Sequence, residues 1–328
     1  SLRGFPRRRY AAPHPTAVPA RTSRSSEETG MLSRVAEALF WVGRYVERAE
    51  DTARLLDVHF HEVLEDPGVD EAHACAVLLA VMELLGYEED SSSSIVGALS
   101  AAWQNARSAR EALSAEIWEC LNSTHNSLPA RVAAARDFGP APFFSYVRER
   151  AANVAGYVEA SMSRDTSYDA LILGRSLERV DMTARLLAAR IGAERASEGW
   201  TSTLRACSAH DAYLRTYQQG VEAPRVVEFL LVDRLFPRSV FYALQAGERA
   251  LARLDPASGR SGLDEPARRA IGRARTDLEF LSAADLLDGL PDRLLGLQRA
   301  VSTISEEVTQ RLFAGSPPPQ WSLKETGA

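Results

Sequence analysis

Lysine is almost missing from this chain: of 38 basic side chains only Lys324 is not an arginine. Codon usage accounts for that choice better than chemistry does, and no function follows from it. Cysteine is scarce too. Cys75, Cys120 and Cys207 are odd in number, widely spaced and without a CxxC pair, which argues against a disulfide framework or a zinc site and leaves buried reduced thiols. No apolar run approaches the roughly 20 residues a membrane span requires, and nothing has the layout of a secretory signal. No membrane partner is expected, and the expected location is cytoplasmic.

Motifs that carry chemistry are equally sparse. "DEAH" at 70–73 matches a helicase tetrapeptide, but no GxxxxGK(S/T) loop or strand supplies the phosphate cradle. A di-iron bundle needs two Glu-x-x-His pairs, and the one acidic-x-x-His here runs from Asp70 to His73. His59 and His61 stand two apart and diverge on a helix. Ser261 in "GRSGL" lacks the GxSxG spacing, and Gly-rich dinucleotide loops are absent. No metal or cofactor is expected on these grounds, and no catalytic motif is found.

What is present is ordinary soluble-globular composition, 45% hydrophobic and 25% charged, in a chain long enough for a full core. Residues 1–30 differ in kind, with six arginines against two glutamates and four prolines; they read as a disordered basic tail. Setting aside that tail's charge of +4, residues 31–328 carry −10. So acidic a body disfavours nucleic acid as a partner.

From Ser33 onward the apolar spacing is helical and no period-2 strand is found, so the fold class is all-α. The spacing predicts helices at roughly 33–65, 70–87, 94–122, 143–162, 167–192, 199–219, 225–253, 264–283 and 290–314, with Thr166 and Asp169 as a capping box. "GSPPPQWSLKETGA" reads as an extended, disordered tail over 315–328. Trp41, Trp103, Trp118, Trp200 and "PFF" at 142–144 read as core packing before ligand stacking.

One helix is written twice. "WVGRYVERAEDTARLL" at 41–56 and "ILGRSLERVDMTARLL" at 172–187 share nine of sixteen positions at an offset of 131. The same offset aligns 95–113 with 226–244, pairing Arg107 with Arg238 and Ser108 with Ser239. This register predicts an internally duplicated helical bundle: two similar units of about 130 residues, 31–161 and 162–314 with the C-terminal helices, related by pseudo-twofold symmetry.

On a helical wheel Val42, Val46, Ala49, Ala53 and Leu56 form the core side, as do Leu173, Leu177, Val180, Ala184 and Leu187 in the copy. Arg44, Glu47, Arg48, Asp51 and Arg54 lie opposite, with Arg175, Glu178, Arg179 and Arg185 in the copy. Two readings stay open. One is a solvated face laced with pairs such as Glu50 to Arg54, each worth about 0–1 kcal/mol. The other is a partly buried network at the junction of the halves, pairing Glu47 with Arg179 and Glu178 with Arg48, which specifies packing or binds an anion. Leu55 and Leu186 sit among the charges, which a freely solvated face would not need. Arg107 and Arg238 either bridge neighbouring helices or offer guanidinium groups to a carboxylate or phosphate.

"MLSRVAEALFWVGRYVERAEDTARLL" at 31–56 and "LGRSLERVDMTARLL" at 173–187 resemble the signature helices of the bacterial alpha-E family, named for a helical domain with an ER motif. "NARSAREALSAEIWECLN" at 105–122 and "VVEFLLVDRLFPRSVFYAL" at 226–244 resemble two further segments of it. The resemblance implies the company of circularly permuted ATP-grasp proteins and transglutaminase-like peptidases, and so a role in forming or modifying peptides through amide bonds. The leading expectation is a non-catalytic partner or substrate-presenting module for an ATP-grasp amide ligase. An enzyme of the same pathway, using the arginines on an acidic peptide or an acyl-phosphate-like species with Glu47 or Glu178 as acid or base, is the second. A structural protein assembling as a homo-oligomer is the third.

Overall fold

The computed structural model describes residues 26–65, 94–192, 199–256, 265–282 and 285–313. The helix expected at 70–87, Cys75, "DEAH", Ser261, the tail over 315–328 and residues 1–25 of the basic tail lie outside them. Residues 26–30, assigned above to that tail, belong to the first helix.

Eleven α-helices make up the described residues, joined by turns and one 3-10 turn: α1 (Ser26–Glu65), α2 (Ile95–Ser108), α3 (Ala115–Phe138), α4 (Ala141–Ser161), α5 (Thr166–Gly192), α6 (Trp200–Ala206), α7 (His210–Tyr217), α8 (Ala223–Val232), α9 (Val240–Leu254), α10 (Pro266–Glu279) and α11 (Leu290–Leu312). Three helices expected as single are broken, each for a local reason. The run 94–122 stops at Ser108 and restarts where the Ser114 hydroxyl accepts from the Ile117 N–H at 3.4 Å, after which α3 continues to Phe138. The run 199–219 turns at Ser208, whose φ is 55°. The run 225–253 breaks at 233–239: Asp233 Oδ1 accepts from the N–H groups of Leu235 and Phe236 at 2.8 and 2.7 Å, Pro237 has no N–H to give, and Ser239 caps α9. Pro237 is therefore in the connection and neither opens nor kinks a helix. The cap of α5 is Asp165, whose Oδ1 accepts from the Ser167 and Tyr168 N–H groups, not Thr166; Asp169 is buried and held by Arg253.

Packing follows two closed circuits. α1 packs on α2, α2 on α3, α3 on α4, and α4 returns to α1; α5 packs on α9, α9 on α10, α10 on α11, and α11 returns to α5. The most extensive contact of all is between α1 and α5, which joins the circuits. Every residue assigned above to the core side of these two helices is buried, and Phe143, Phe144 and Trp200 join the core.

The register at the circuits' second helices differs from the sequence expectation. Under the 131 offset, helical Ala102–Ser108 would face the 233–239 connection. The matching caps are instead Ser94, whose hydroxyl accepts from the Gly97 N–H at 3.0 Å, and Ser239, which accepts from Tyr242 at 3.1 Å. Aligning these shifts the offset to 145 and pairs buried Ala98 and Leu99 with buried Ala243 and Leu244.

Candidate functional site

The α1/α5 crossing is close because Gly43 and Gly174 have no side chain. A Cβ built on Gly43 would stand 2.2 Å from the Leu171 carbonyl oxygen, and one on Gly174 would stand 1.9 Å from that of Phe40. Residue numbers rise together along the two helices, so the charged faces one turn further on must meet. There the glutamates cross over. Arg179 donates through Nε and Nη2 to Glu47 at 2.6 and 2.8 Å, and Arg48 donates through Nε and Nη2 to Glu178 at 2.5 and 3.0 Å. Neighbouring residues on a helix point about 100° apart, so the Glu and Arg of each "ER" do not face each other. Each instead finds its counterpart on the other helix.

The two carboxylates share no arginine. Glu178, fully buried, also accepts from Arg44 Nε at 2.7 Å, and Arg44 donates onward to the Ser305 hydroxyl of α11 at 2.8 Å. Glu47, 3% exposed, is also 3.1 Å from Arg238, which reaches Glu50 at 2.5 Å and Asp51 at 2.7 Å. Arg179 closes this second cluster by donating to the Pro237 carbonyl at 3.0 Å. A single shared network, as first read, is thus two adjoining clusters. The local pairs expected on a solvated face exist as well: Arg54 to Glu50 at 2.7 Å and Arg185 to Asp181 at 2.8 Å.

Two arginines of the candidate set stand outside these ion pairs, Arg175 still near enough to help lower the Glu47 carboxyl. Arg175 pairs with Glu159 of α4 at 3.2 Å, and Arg107 is exposed, with its guanidinium over the Trp103 ring at 5.6 Å. Arg107 and Arg238 do not occupy equivalent places, since Arg107 lies in the last turn of α2 and Arg238 in the connection before α9. Asp51, Glu50, Cys207, Ser305 and the two glycines were not picked out from sequence as site residues, although the glycines were among the nine repeated positions. His61 sits beside Asp57, and no cluster able to hold a metal is found among the described residues. Cys120 and Cys207 are buried free thiols.

Burial and charge act against each other at the two acids of the second cluster. Burial alone would raise the Glu47 carboxyl, but Arg179 and Arg238 outweigh it and hold the group at about 2. At Asp51 burial wins: with Glu47 and Glu50 adding to it, the single contact with Arg238 cannot compensate, and the carboxyl is pushed up to about 7. An aspartate raised in the folded state binds a proton there that the unfolded chain releases, so its stabilisation is complete below about pH 4 and is lost as pH rises toward 7. Denaturant melts between pH 5 and pH 8 should therefore show the parent losing stability relative to Asp51→Asn, by at most about 1.4 kcal/mol per unit. Parallel curves for the two proteins would contradict the raised group.

Residues 31–313 match the sequence model of Alpha-E, described as a predicted alpha-helical domain with a conserved ER motif. The chain belongs to the Alpha-E family. Uncharacterized proteins of Mycobacterium bovis and of Mycobacterium tuberculosis strain CDC 1551 are each 28% identical over 339 residues, covering 88% of this chain and 38% of the relative. A further uncharacterized protein, of M. tuberculosis strain H37Rv, is 27% identical with the same coverage. At 38%, the chain spans about two-fifths of the length of these relatives. No solved structure matches it. Within this Alpha-E chain the ER motif has a physical reading: Glu47-Arg48 and Glu178-Arg179 are the two halves of a reciprocal lock.

Proposed function

We propose that this Alpha-E chain is a non-catalytic helical module that docks beside an ATP-grasp amide ligase in the cytoplasm and presents substrate to it, in a system that includes a transglutaminase-like peptidase. The observation that carries the reading is the reciprocal lock. Glu47 and Glu178 each bind two arginines, and Glu47 at about 2 stays ionised at neutral pH, a poor acid or base. Arginines engaged in this way fix how α1 and α5 cross and make a rigid platform. The ligase itself is inferred from the family resemblance. That the relatives carry this region in a chain more than twice as long suits a module that works beside another domain.

The reading includes an origin by internal duplication, with a pseudo-twofold axis along the α1/α5 pair. Four features support it: the glycine contacts and the ion pairs both exchange under the 131 offset, Ser94 and Ser239 cap equivalent helices, and the two packing circuits have the same order. The enzyme reading retains one supporting observation. Asp51, held near 7, is suited to moving a proton, unlike Glu47, one of the two glutamates first considered.

Mixing the purified chain with the ATP-grasp protein encoded beside it tests the module. The expected result is a stable complex, no ATP hydrolysis by the chain alone, and a lower KM of the ligase for its acceptor. Amide formation or ATP turnover by the isolated chain would overturn it in favour of the enzyme.

A further inference from the structure

Asp51 stands on the wall of a cavity of about 330 Å3 between α1, α5 and α6, a volume at the small end of ligand cavities. Leu55, Met182, Leu186, Ala189 and Ala206 supply its hydrocarbon lining. Thr183 and Arg185 of α5 interrupt that lining, as do Asp51 and Arg238 from the second cluster, and these last two differ in what they have left to offer. Arg238 is engaged by Glu47, Glu50 and Asp51. Asp51 accepts from Arg238 through Oδ1 at 2.7 Å, and its Oδ2 has no partner among the described residues. The Cys207 thiol on the same wall is pushed up to about 12 by burial and by Asp51, so it adds no charge at neutral pH.

A carboxylate oxygen without a protein donor, on the wall of a largely apolar cavity, suits a donor carried on a hydrocarbon body. An anion is poorly suited, because three carboxylates already occupy Arg238 and Asp181 holds the other lining arginine, Arg185, at 2.8 Å. A neutral hydroxyl or amide could donate, but a hydrogen bond between two ionised groups is roughly twice as strong as a neutral one. An ammonium is compact enough to share a small cavity with a branched aliphatic group. We propose that this cavity binds a small aliphatic primary amine, its ammonium donating to Asp51 Oδ2 and its hydrocarbon lying against Leu55, Met182 and Leu186. This site goes beyond the module reading and does not depend on the ligase.

The charged and titratable groups around Asp51 set the pH behaviour. They are Glu47, Glu50 and Arg54 on α1, Arg179 and the Asp181–Arg185 pair on α5, Arg238 before α9, and Cys207 after α6. Of the acids, Glu47 is ionised throughout the neutral range and Asp51 changes charge near 7. The amine stays protonated, so binding requires Asp51 to lose its proton.

Calorimetric titration of the full chain with 3-methylbutylamine tests the site, with 3-methylbutanol and 3-methylbutanoate as separate arms. The amine should bind saturably by about 10 mM, at least about tenfold more tightly than the alcohol, while the carboxylate does not bind. Lowering the pH from 8 to 6 should weaken the amine about tenfold and leave the alcohol unchanged. Asp51→Asn should abolish the preference for amine over alcohol. Ala189→Trp, at an exposed position on the cavity wall, should block both. Absence of saturable amine binding, equal binding of the carboxylate, or unchanged amine affinity in Asp51→Asn would each overturn the proposal. Should Asp51→Asn fail to fold by circular dichroism, the parent's pH profile and Ala189→Trp still decide it. None of these measurements involves the ligase, so failure here leaves the complex in the module reading untouched, and the reverse also holds.

Discussion

Gly174→Ala should cost this protein about 3 kcal/mol or more, although glycine to alanine inside a helix ordinarily gains about 1 kcal/mol. The sign reverses because the new methyl would stand 1.9 Å from the Phe40 carbonyl oxygen, a backbone atom that moves only if the helix moves. Opening the α1/α5 crossing enough to restore a normal contact loosens the most extensive helix contact in the fold. It also lengthens the ion pairs one turn away. Gly43→Ala should behave alike, since its methyl would stand 2.2 Å from the Leu171 carbonyl oxygen. The control is Gly156 of α4, where a Cβ meets nothing within 4 Å: Gly156→Ala should stabilise by about 0.5–1 kcal/mol. Denaturant melts of the three variants beside the parent settle the matter. A Gly174→Ala midpoint at or above that of Gly156→Ala would mean the helices do not cross this closely.

The helices and their buried faces were legible because a 3.6-residue period survives any tertiary context. Val42, Val46, Ala49, Ala53 and Leu56 follow it, and all are buried. The cross-helix pairing of Glu47 with Arg179 was legible for another reason. A repeated charged face with Leu55 and Leu186 inside it suggests that the face packs, and two copies of one helix suggest what it packs against. The breaks at 108, 208 and 233–239 were not legible, because helical periodicity continues through a turn when residues on both sides face the same core. The offset misled at Arg107 for a related reason. Arg107-Ser108 and Arg238-Ser239 are identical dipeptides at 131, but a serine used as a helix cap is defined by the N–H it accepts from, and that test selects Ser94. Asp51 was the hardest to read. Its counterpart is Met182, so it looked like a loss of pattern, whereas in the fold these two unequal residues face one cavity and give it one polar and one apolar wall.

Glu178→Ala should be among the most damaging single changes on the polar side, costing on the order of 3–5 kcal/mol. Glu178 is fully buried and receives both Arg44 and Arg48, so its removal leaves two guanidinium groups facing a site closed to water. Arg48→Ala should cost less, because Arg44 still answers the carboxylate at 2.7 Å and the Arg48 side chain is 23% exposed. Truncation of exposed Arg107 should change stability by less than about 0.5 kcal/mol. Double variants then test the division into two clusters. Arg48→Ala combined with Glu178→Ala should fall short of additivity by more than about 0.5 kcal/mol, because the second change removes a charge the first has already left under-paired. Arg48→Ala combined with Arg179→Ala should lie closer to additive, since these arginines hold different carboxylates. Replacing both partners with apolar residues, as in Arg48→Met with Glu178→Leu, should recover part of the loss seen in Glu178→Ala, because the desolvation cost of the ion pair goes with it. A loss below about 1 kcal/mol in Glu178→Ala would place the group in the solvated class, and the reciprocal lock would then not be what fixes the two helices.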